Sequence, residues 1–180
     1  MDVRVQGVVV QISNDEMQAR ARVFVGRWAD ETRESAESQT FWNEFFHIFD
    51  IDRYEYARFE VKAQRFVGTG AMDVYWPGVI AAEHKSRGKD LEAAFDQLEE
   101  YLADPALDPV PLGVVCDFKK FVVKNFITGD RIELQLEDLP SHLATTFGSL
   151  IDGRETLIRV EEEITGQAAA LMAGLHEALS

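Results

Sequence analysis

The sequence predicts one α/β domain that ends in a helical tail. Short apolar runs of strand type, such as residues 79–82 and Leu112–Cys116, are separated along the chain by turn signals such as Pro77-Gly78. Other stretches repeat apolar residues at helical spacing, most clearly Leu91–Leu102. The length of 180 residues is that of one domain, and 46% hydrophobic with 28% charged residues is ordinary for a globular protein.

Two helices are expected before the first strand. Ser13-x-x-Glu16 is a capping-box pattern, so a helix should begin near Asn14. A second helix is expected through residues 42–49, because aromatic side chains recur there at helical spacing. Such a stripe is more often core than a platform for stacking bases, and its members are Phe41, Trp42, Phe45, Phe46 and Phe49. Residues 54–66 alternate in part between apolar and polar, which predicts the first strand.

The middle of the chain predicts a hairpin and then a capped helix. Residues 74–76 and 79–82 are expected to form two strands joined by a turn at Pro77-Gly78. Asp90, at the end of a turn, is expected to be the N-cap of a helix over Leu91–Leu102. Three later strands are expected over Leu112–Cys116, 121–125 and 131–136, with a hairpin turn at 128–130.

The character of the chain changes beyond Pro140. Residues 141–152 are expected to mix short helix with loop, and residues 156–167 are charged and linker-like. The alanine- and leucine-rich stretch from residue 168 predicts a helix. A domain border is therefore expected near residue 155.

Composition limits the compartment and the membrane association of this chain. No apolar run approaches the roughly 20 residues needed to cross a bilayer, and the first residues lack the basic-then-apolar order of a secretory signal. Cys116 is the one cysteine, so it cannot form an internal disulfide, and its apolar neighbours predict a buried thiol. A cytoplasmic protein without a membrane partner is expected.

The net charge of −14 bears on DNA binding. Duplex DNA repels such a chain, so only weak affinity for DNA is expected from this chain alone. A solvated loop and a phosphate contact are about equally good interpretations of the basic loop at residues 85–89. Other local basic groups where a DNA backbone could pass are Lys62, Arg65, Lys119 and Lys120.

Asp73, Glu83 and Lys85 predict a metal-dependent nuclease centre. A hairpin bent at Pro77-Gly78 would bring Asp73 on one strand beside Glu83 on the next. Because side chains alternate along a strand, Glu83 and Lys85 should share a face while His84 points away. Two carboxylates suit Mg²⁺, which lowers the pKa of a bound water and neutralises phosphate charge.

A simpler interpretation is that these charges arise by chance and lie on a solvated face, as often happens in acidic chains. Against it, residues 79–82 are apolar at every position and should be buried on both faces. Charges that follow directly on such a strand are explained if the strand end opens into a site.

A glutamine and a tyrosine on the following helix add a second signal. Gln97 and Tyr101 lie four residues apart, on a face beside the apolar stripe of Leu91–Leu102. They could bind a phosphate or orient Lys85. The alternative is a boundary glutamine and a half-buried tyrosine, which is the better interpretation for Gln97 taken alone.

The order Asp73, Glu83-x-Lys85, helix, Gln97-x-x-x-Tyr101 resembles the PD-(D/E)xK nuclease superfamily, although Met72 stands where proline usually precedes the aspartate. From about Val23 onward the chain looks like the amino-terminal domain of MmeI-like enzymes. These type IIL restriction-modification proteins join a nuclease, a helical spacer, an adenine methyltransferase and a target-recognition domain. The segments that carry the resemblance are Phe24-Val-Gly-Arg-Trp28, Glu37-Ser-Gln39, Trp76-Pro-Gly78, Glu83-His-Lys-Ser86 and Val115-Cys-Asp117-Phe.

The resemblance implies a restriction-endonuclease-like fold with a central mixed sheet flanked by helices. It divides the chain into an endonuclease-like domain at 1–155 and a linker with the start of the spacer at 156–180. Asp73, Glu83, Lys85 and Gln97 become the catalytic residues. The metal ligands would be Asp73, Glu83, the carbonyl of His84 and, as a weaker assignment, Glu37.

The same resemblance implies cofactors and partners. Mg²⁺ is the expected metal, with Mn²⁺ as a substitute, and S-adenosylmethionine enters only if a methyltransferase domain is present. Expected partners are double-stranded DNA, the methyltransferase and target-recognition domains of a longer protein, and a second copy for double-strand cleavage. Two other functions stay open: a catalytically dormant docking or regulatory module, and a repair or recombination nuclease.

Overall fold

A six-stranded mixed sheet with helices on both faces organises the chain. The structure is a computed structural model that describes residues 12–31, 34–52, 57–64 and 69–178. The strands follow one another across the sheet in chain order. The four helices among the described residues are α1 (Asn14–Trp28), α2 (Glu34–Ile48), α3 (Leu91–Leu102) and α4 (Leu139–Ala178).

All neighbouring strands are antiparallel except the central pair. β3 and β4 run parallel, joined by the crossover through α3, and they pair from Ile80 with Leu112 to His84 with Cys116. Their carboxyl ends therefore meet at one edge of the sheet. The strands are β1 (Arg58–Gln64), β2 (Thr69–Trp76), β3 (Ile80–His84), β4 (Leu112–Cys116), β5 (Lys120–Asn125) and β6 (Arg131–Gln135), and a short 3-10 helix follows at Leu136–Asp138.

The local signals in the sequence account for most of these elements. Ser13 caps α1 by accepting a hydrogen bond from the Glu16 N–H at 3.1 Å, as the capping-box pattern predicts. Gly78 adopts a φ of 74° in the turn between β2 and β3, a conformation that favours glycine. The ends of the predicted first strand, at residues 54–56 and 65–66, lie outside the described residues.

The sheet separates two apolar clusters of unequal size. The larger one, the aromatic face, lies between the sheet and α1, α2 and α4, and contains the predicted stripe of α2. The smaller one, the α3 face, holds α3 against β2, β3 and β4. All five residues of β3 and of β4 are buried, as expected for strands covered on both sides.

The prediction of loop within 141–152 and of a linker over 156–167 is wrong as to secondary structure. One helix, α4, runs through both segments, with a local departure from helical geometry at Phe147. The physical reason is that the charged residues here are largely glutamate and arginine, which favour helix although they read as solvated. The position of the domain border stays a prediction. No described helix has the length and apolar character needed to cross a membrane.

Candidate active site at the carboxyl end of the central strands

The sheet opens where Asp73 and Glu83 lie. Regular pairing of β2 with β3 includes Val74 and Ala82 but does not extend to Asp73 and Glu83, the next residues along the two strands. Beyond this point the Asp73 carboxylate, rather than a backbone carbonyl of β2, accepts the His84 N–H, with 2.6 Å between Oδ2 and N. The Asp73 side chain thus closes the gap between the diverging strands and lies directly beside Glu83.

Side-chain alternation along β2 also breaks at this aspartate. Met72 and Tyr75, three residues apart, both belong to the α3 face, whereas Val74 belongs to the aromatic face. A regular strand would place Met72 and Tyr75 on opposite sides. The change of face occurs at Asp73, which is why its carboxylate can reach a backbone group of the neighbouring strand.

Glu83 and Lys85 form an ion pair on the α3 face. Only 4% of Glu83 is exposed, and its Oε1 lies 2.6 Å from the Lys85 Nζ. Burial, and secondly the charge of Asp73, raise the pKa of Glu83 to about 7, although the hydrogen bond from Lys85 opposes this. The other oxygen, Oε2, is buried and has no hydrogen-bond partner among the described residues.

His84 points to the opposite side, as alternation predicts. Its ring packs 4.1 Å from the Phe118 ring and 4.8 Å from the Phe41 ring, measured between centroids. Nδ1 lies 3.2 Å from the Cys116 Sγ. Burial lowers the pKa of His84 to about 3, so its imidazole is neutral. The side chain is held in the core, and only the carbonyl of His84 stays available as a predicted ligand.

Gln97 and Tyr101 are joined to each other on α3. The Gln97 Nε2 donates a hydrogen bond to the Tyr101 hydroxyl. Tyr101 is buried rather than half-buried, because it packs against Gly70 of β2 so closely that a Cβ there would overlap its ring. The pair therefore holds α3 against the strand that carries Asp73, with Gln97 partly exposed beside it.

Glu37 lies apart from this group. It is half-buried on α2, one turn before Phe41, whose ring contacts His84. Within the described part of the chain, no three Asp, Glu, His or Cys side chains come close enough to hold a metal ion together. The structure thus brings Asp73, Glu83 and Lys85 together, and does not join Glu37 to them.

The donor set present fits a hard divalent cation such as Mg²⁺. Two carboxylates lie close enough for the charge of Asp73 to raise the pKa of Glu83, and one buried oxygen of Glu83 lacks a partner among the described residues. Mg²⁺ is commonly held by only one or two carboxylates, with water and substrate phosphate as the other ligands. A structural zinc site needs four Cys, His or carboxylate ligands, which this group does not supply.

Asp117 is a residue of this region to which sequence reasoning assigned no role. It follows β4 directly, only 4% of it is exposed, and its Oδ2 accepts the Gly88 N–H at 3.0 Å. It therefore ties the loop after β3 to the end of β4. The signal that could have found it is the one that found Glu83: an acidic residue at the end of a fully apolar strand.

Comparison with known proteins adds a structural similarity and a family. The chain is similar to a solved structure titled "cryoEM structure DrdV-DNA complex", with 17% sequence identity and a TM-score of 0.45 over 76% of this chain. It spans 13% of the length of that chain. No curated protein matches it. Residues 16–180 match the family described as "MmeI, N-terminal domain". Since this match covers nearly the whole sequence, the chain belongs to the family of MmeI N-terminal domains.

Proposed function

We propose that this chain is a Mg²⁺-dependent DNA endonuclease domain that hydrolyses phosphodiester bonds. The observation that carries the proposal is the buried carboxylate of Glu83, which lies beside Asp73 and is bonded to Lys85, and whose Oε2 has no hydrogen-bond partner in the described part of the chain. Membership of the MmeI N-terminal family supports it. Burying two neighbouring carboxylates destabilises a fold unless a bound cation neutralises their charge.

Asp73 and Glu83 would hold the metal, with the His84 carbonyl as a further ligand. When bound, Mg²⁺ would supply charge neutralisation and a bound water of lowered pKa. Glu83 must lose its proton to serve as a ligand, and its pKa of about 7 means that this proton is released near neutral pH.

Lys85 would stabilise phosphate charge or orient the attacking water. Its Nζ is held by Glu83 at 2.6 Å, so the ammonium is already directed at the carboxylate group where a phosphate would arrive. Gln97, fixed by Tyr101, would support this arrangement from α3. Glu37 could complete a second metal shell from α2.

We extend the proposal to the protein as a whole. The chain would be the nuclease part of a longer cytoplasmic restriction enzyme that also carries an adenine methyltransferase and a target-recognition domain. S-adenosylmethionine would then serve the methyltransferase alone. Double-stranded DNA would be the substrate, and two copies would pair to cut both strands.

Calorimetric titration with Mn²⁺ tests the metal site directly. Asp73→Asn keeps an oxygen that can accept the His84 N–H but removes the charge, so metal affinity should fall about tenfold or more. Asp96→Asn is the matched control, because Asp96 is exposed on α3 and the same chemical change there should leave affinity unaltered.

Two outcomes would contradict the proposal. If the unaltered chain binds no Mn²⁺, the chain is better explained as a dormant docking module, which its acidic composition also suits. If Asp73→Asn and Asp96→Asn bind Mn²⁺ equally well, the metal lies elsewhere and Asp73 has no part in holding it.

A further inference from the structure

Three cations beside the candidate site have no carboxylate partner in the described part of the chain. Arg87 and Lys89 belong to the loop after β3, and Lys119 to the hairpin between β4 and β5. Arg22 of α1 and Lys62 of β1 also lack an ion pair there, but neither belongs to the two segments that border the candidate site. By contrast, most other described cations are ion-paired with acidic residues, namely Arg20, Arg27, Lys85, Lys120, Lys124, Arg131 and Arg154.

This grouping is unexpected for the composition. The chain has 32 acidic and 18 basic residues, so an exposed cation usually has a carboxylate within reach. Two acidic residues close to these cations in the chain, Asp90 and Asp117, are committed to backbone groups instead. Asp90 caps α3 by accepting the N–H groups of Glu92 and Ala93, and Asp117 accepts only backbone N–H groups.

The buried Asp117 carboxylate fixes the distance between the two basic segments. Its Oδ2 accepts the Gly88 N–H at 3.0 Å, and its Oδ1 accepts the Lys119 and Lys120 N–H groups at 3.1 and 3.0 Å. One carboxylate thus joins the backbone between Arg87 and Lys89 to the backbone of Lys119. Gly88 has a φ of 81°, which glycine adopts without strain.

The Arg87 guanidinium is held in place and not neutralised. Its Nη2 donates to the Ala29 carbonyl at 2.6 Å, which ties the loop to the end of α1. Arg87 and Lys119 line a pocket of about 300 Å³, whose apolar wall is formed by Val25, Ala29, Phe118 and Leu136. Gln135 and Glu137 complete the lining, and Glu137 brings one negative charge.

We infer that Arg87, Lys89 and Lys119 form a surface that binds phosphates of the DNA backbone, with Asp117 as the residue that sets their spacing. This inference rests on the proposed function, which makes DNA the substrate. Lys and Arg contacts to phosphates supply most non-specific DNA affinity. Because the rest of this acidic chain repels DNA, a local group of unpaired cations would both attract the duplex and orient it beside Glu83 and Lys85.

The test is DNA binding without metal, so that it is independent of catalysis. A fluorescent 20-base-pair duplex is titrated with the chain in EDTA at several salt concentrations, and anisotropy is read. Lys89→Ala and Lys119→Ala should each weaken binding about three- to tenfold at low salt and lower the slope of log K against log salt by about one. Lys124→Ala is the matched control, because it removes the same charge from β5, where Lys124 pairs with Gly113 at the other end of the sheet.

The results separate this inference from the proposed function. If all three lysine variants lose the same affinity, or the unaltered chain binds no duplex at about 10⁻⁴ M protein, the phosphate surface is wrong. If Mn²⁺ fails to bind, the proposed metal site is wrong, but the DNA-binding measurement in EDTA is unaffected. Conversely, if Mn²⁺ binds as expected but Lys89→Ala and Lys119→Ala leave DNA affinity unchanged, the phosphate surface is wrong and the metal site stands.

A double-mutant cycle tests the role of Asp117 as a positioning residue. Asp117→Asn should weaken DNA binding, and Lys119→Ala should cost less in that background than alone, because the lysine is already displaced. A purely structural role would give additive effects. Because Asp117 is buried, Asp117→Asn could also disturb the fold, so a second cycle combines Gly88→Ala with Lys119→Ala. Gly88 is exposed, and an added Cβ there meets no other atom, but its positive φ means that alanine strains the same loop. Additivity in both cycles would overturn this part of the inference.

Discussion

The two faces of the central sheet treat neighbouring ionisable residues in opposite ways. On the aromatic face, His84 is packed among Phe41, Trp42 and Phe118, and burial lowers its pKa to about 3. On the α3 face, Glu83 is equally covered, but it has a cation and a second carboxylate beside it, and its pKa rises to about 7. Both groups favour their neutral form because water is excluded.

The difference shows how one strand can serve stability and chemistry at once. The aromatic face contributes apolar burial and, among the described residues, gives His84 no ion-pair partner, so its role is to hold the end of β3 in place. The α3 face carries the groups that would change state when a cation or a phosphate binds. Substitutions on the two faces should therefore change the free energy of unfolding by different amounts and, for Glu83, in the opposite direction.

The largest expected effect is on the aromatic face. Phe41→Ala removes a ring that is 0% exposed and should lower the free energy of unfolding by about 3–5 kcal/mol. Phe126→Ala, the same change at a half-buried ring near α3, should cost about half of that or less. Urea denaturation measures both. Equal losses would mean that the two faces contribute alike to stability.

Glu83→Gln is expected to raise the free energy of unfolding at pH 8, whereas Phe41→Ala lowers it. Glu83 has a folded pKa of about 7 against an ordinary 4.5, so the folded protein retains a proton that the unfolded chain releases between these values. Stability from this group therefore falls as pH rises through that window, by on the order of 3 kcal/mol. Glu83→Gln abolishes the loss and should be more stable than the unaltered chain at pH 8, but not at pH 4.

Urea denaturation in EDTA at both pH values measures this difference. His84 complicates a single pH profile, because its lowered pKa makes stability rise with pH between about 3 and 6.5. It is present in both proteins, so its contribution cancels when the variant is compared with the unaltered chain. A stability gain for Glu83→Gln that is the same at pH 4 and pH 8 would show that Glu83 is not a strained carboxylate.

The smallest expected effect concerns the cap of α3. Asp90 accepts the N–H groups of Glu92 and Ala93 at 3.0 and 3.1 Å, and Asp90→Ala should cost about 1 kcal/mol. Asp96→Ala, an exposed change within the same helix, should cost little. Native-state hydrogen exchange would locate the loss of stability caused by Asp90→Ala, because faster exchange should be confined to the amides of α3. Equal exchange changes in α1 would contradict the separation of the two faces.

The sequence allowed the order of elements and much of the site to be predicted, because both depend on local patterns. The Glu83-x-Lys85 spacing, directly after the apolar run at residues 79–82, predicted that the two side chains share a face and that His84 points to the other one. The same reasoning missed the helical character of residues 156–167, since glutamate and arginine are common to linkers and exposed helices. It also gave Tyr101 as half-buried in its simpler interpretation, whereas the residue is buried. The reason is its contact with Gly70, which links residues 31 positions apart in the chain.

What the sequence determined by itself is therefore local: caps at Ser13 and Asp90, turns at Gly78 and Gly129, and strands whose alternation sorts residues between two faces. These features depend on interactions within a few residues, which any chain segment carries with it. The tertiary structure alone decided that Asp73 bonds to the backbone of His84, that Asp117 joins two basic segments, and that Glu83 titrates near neutral pH. Each of these depends on which distant elements cover a group and exclude water from it, and that is fixed only when the sheet and helices have assembled.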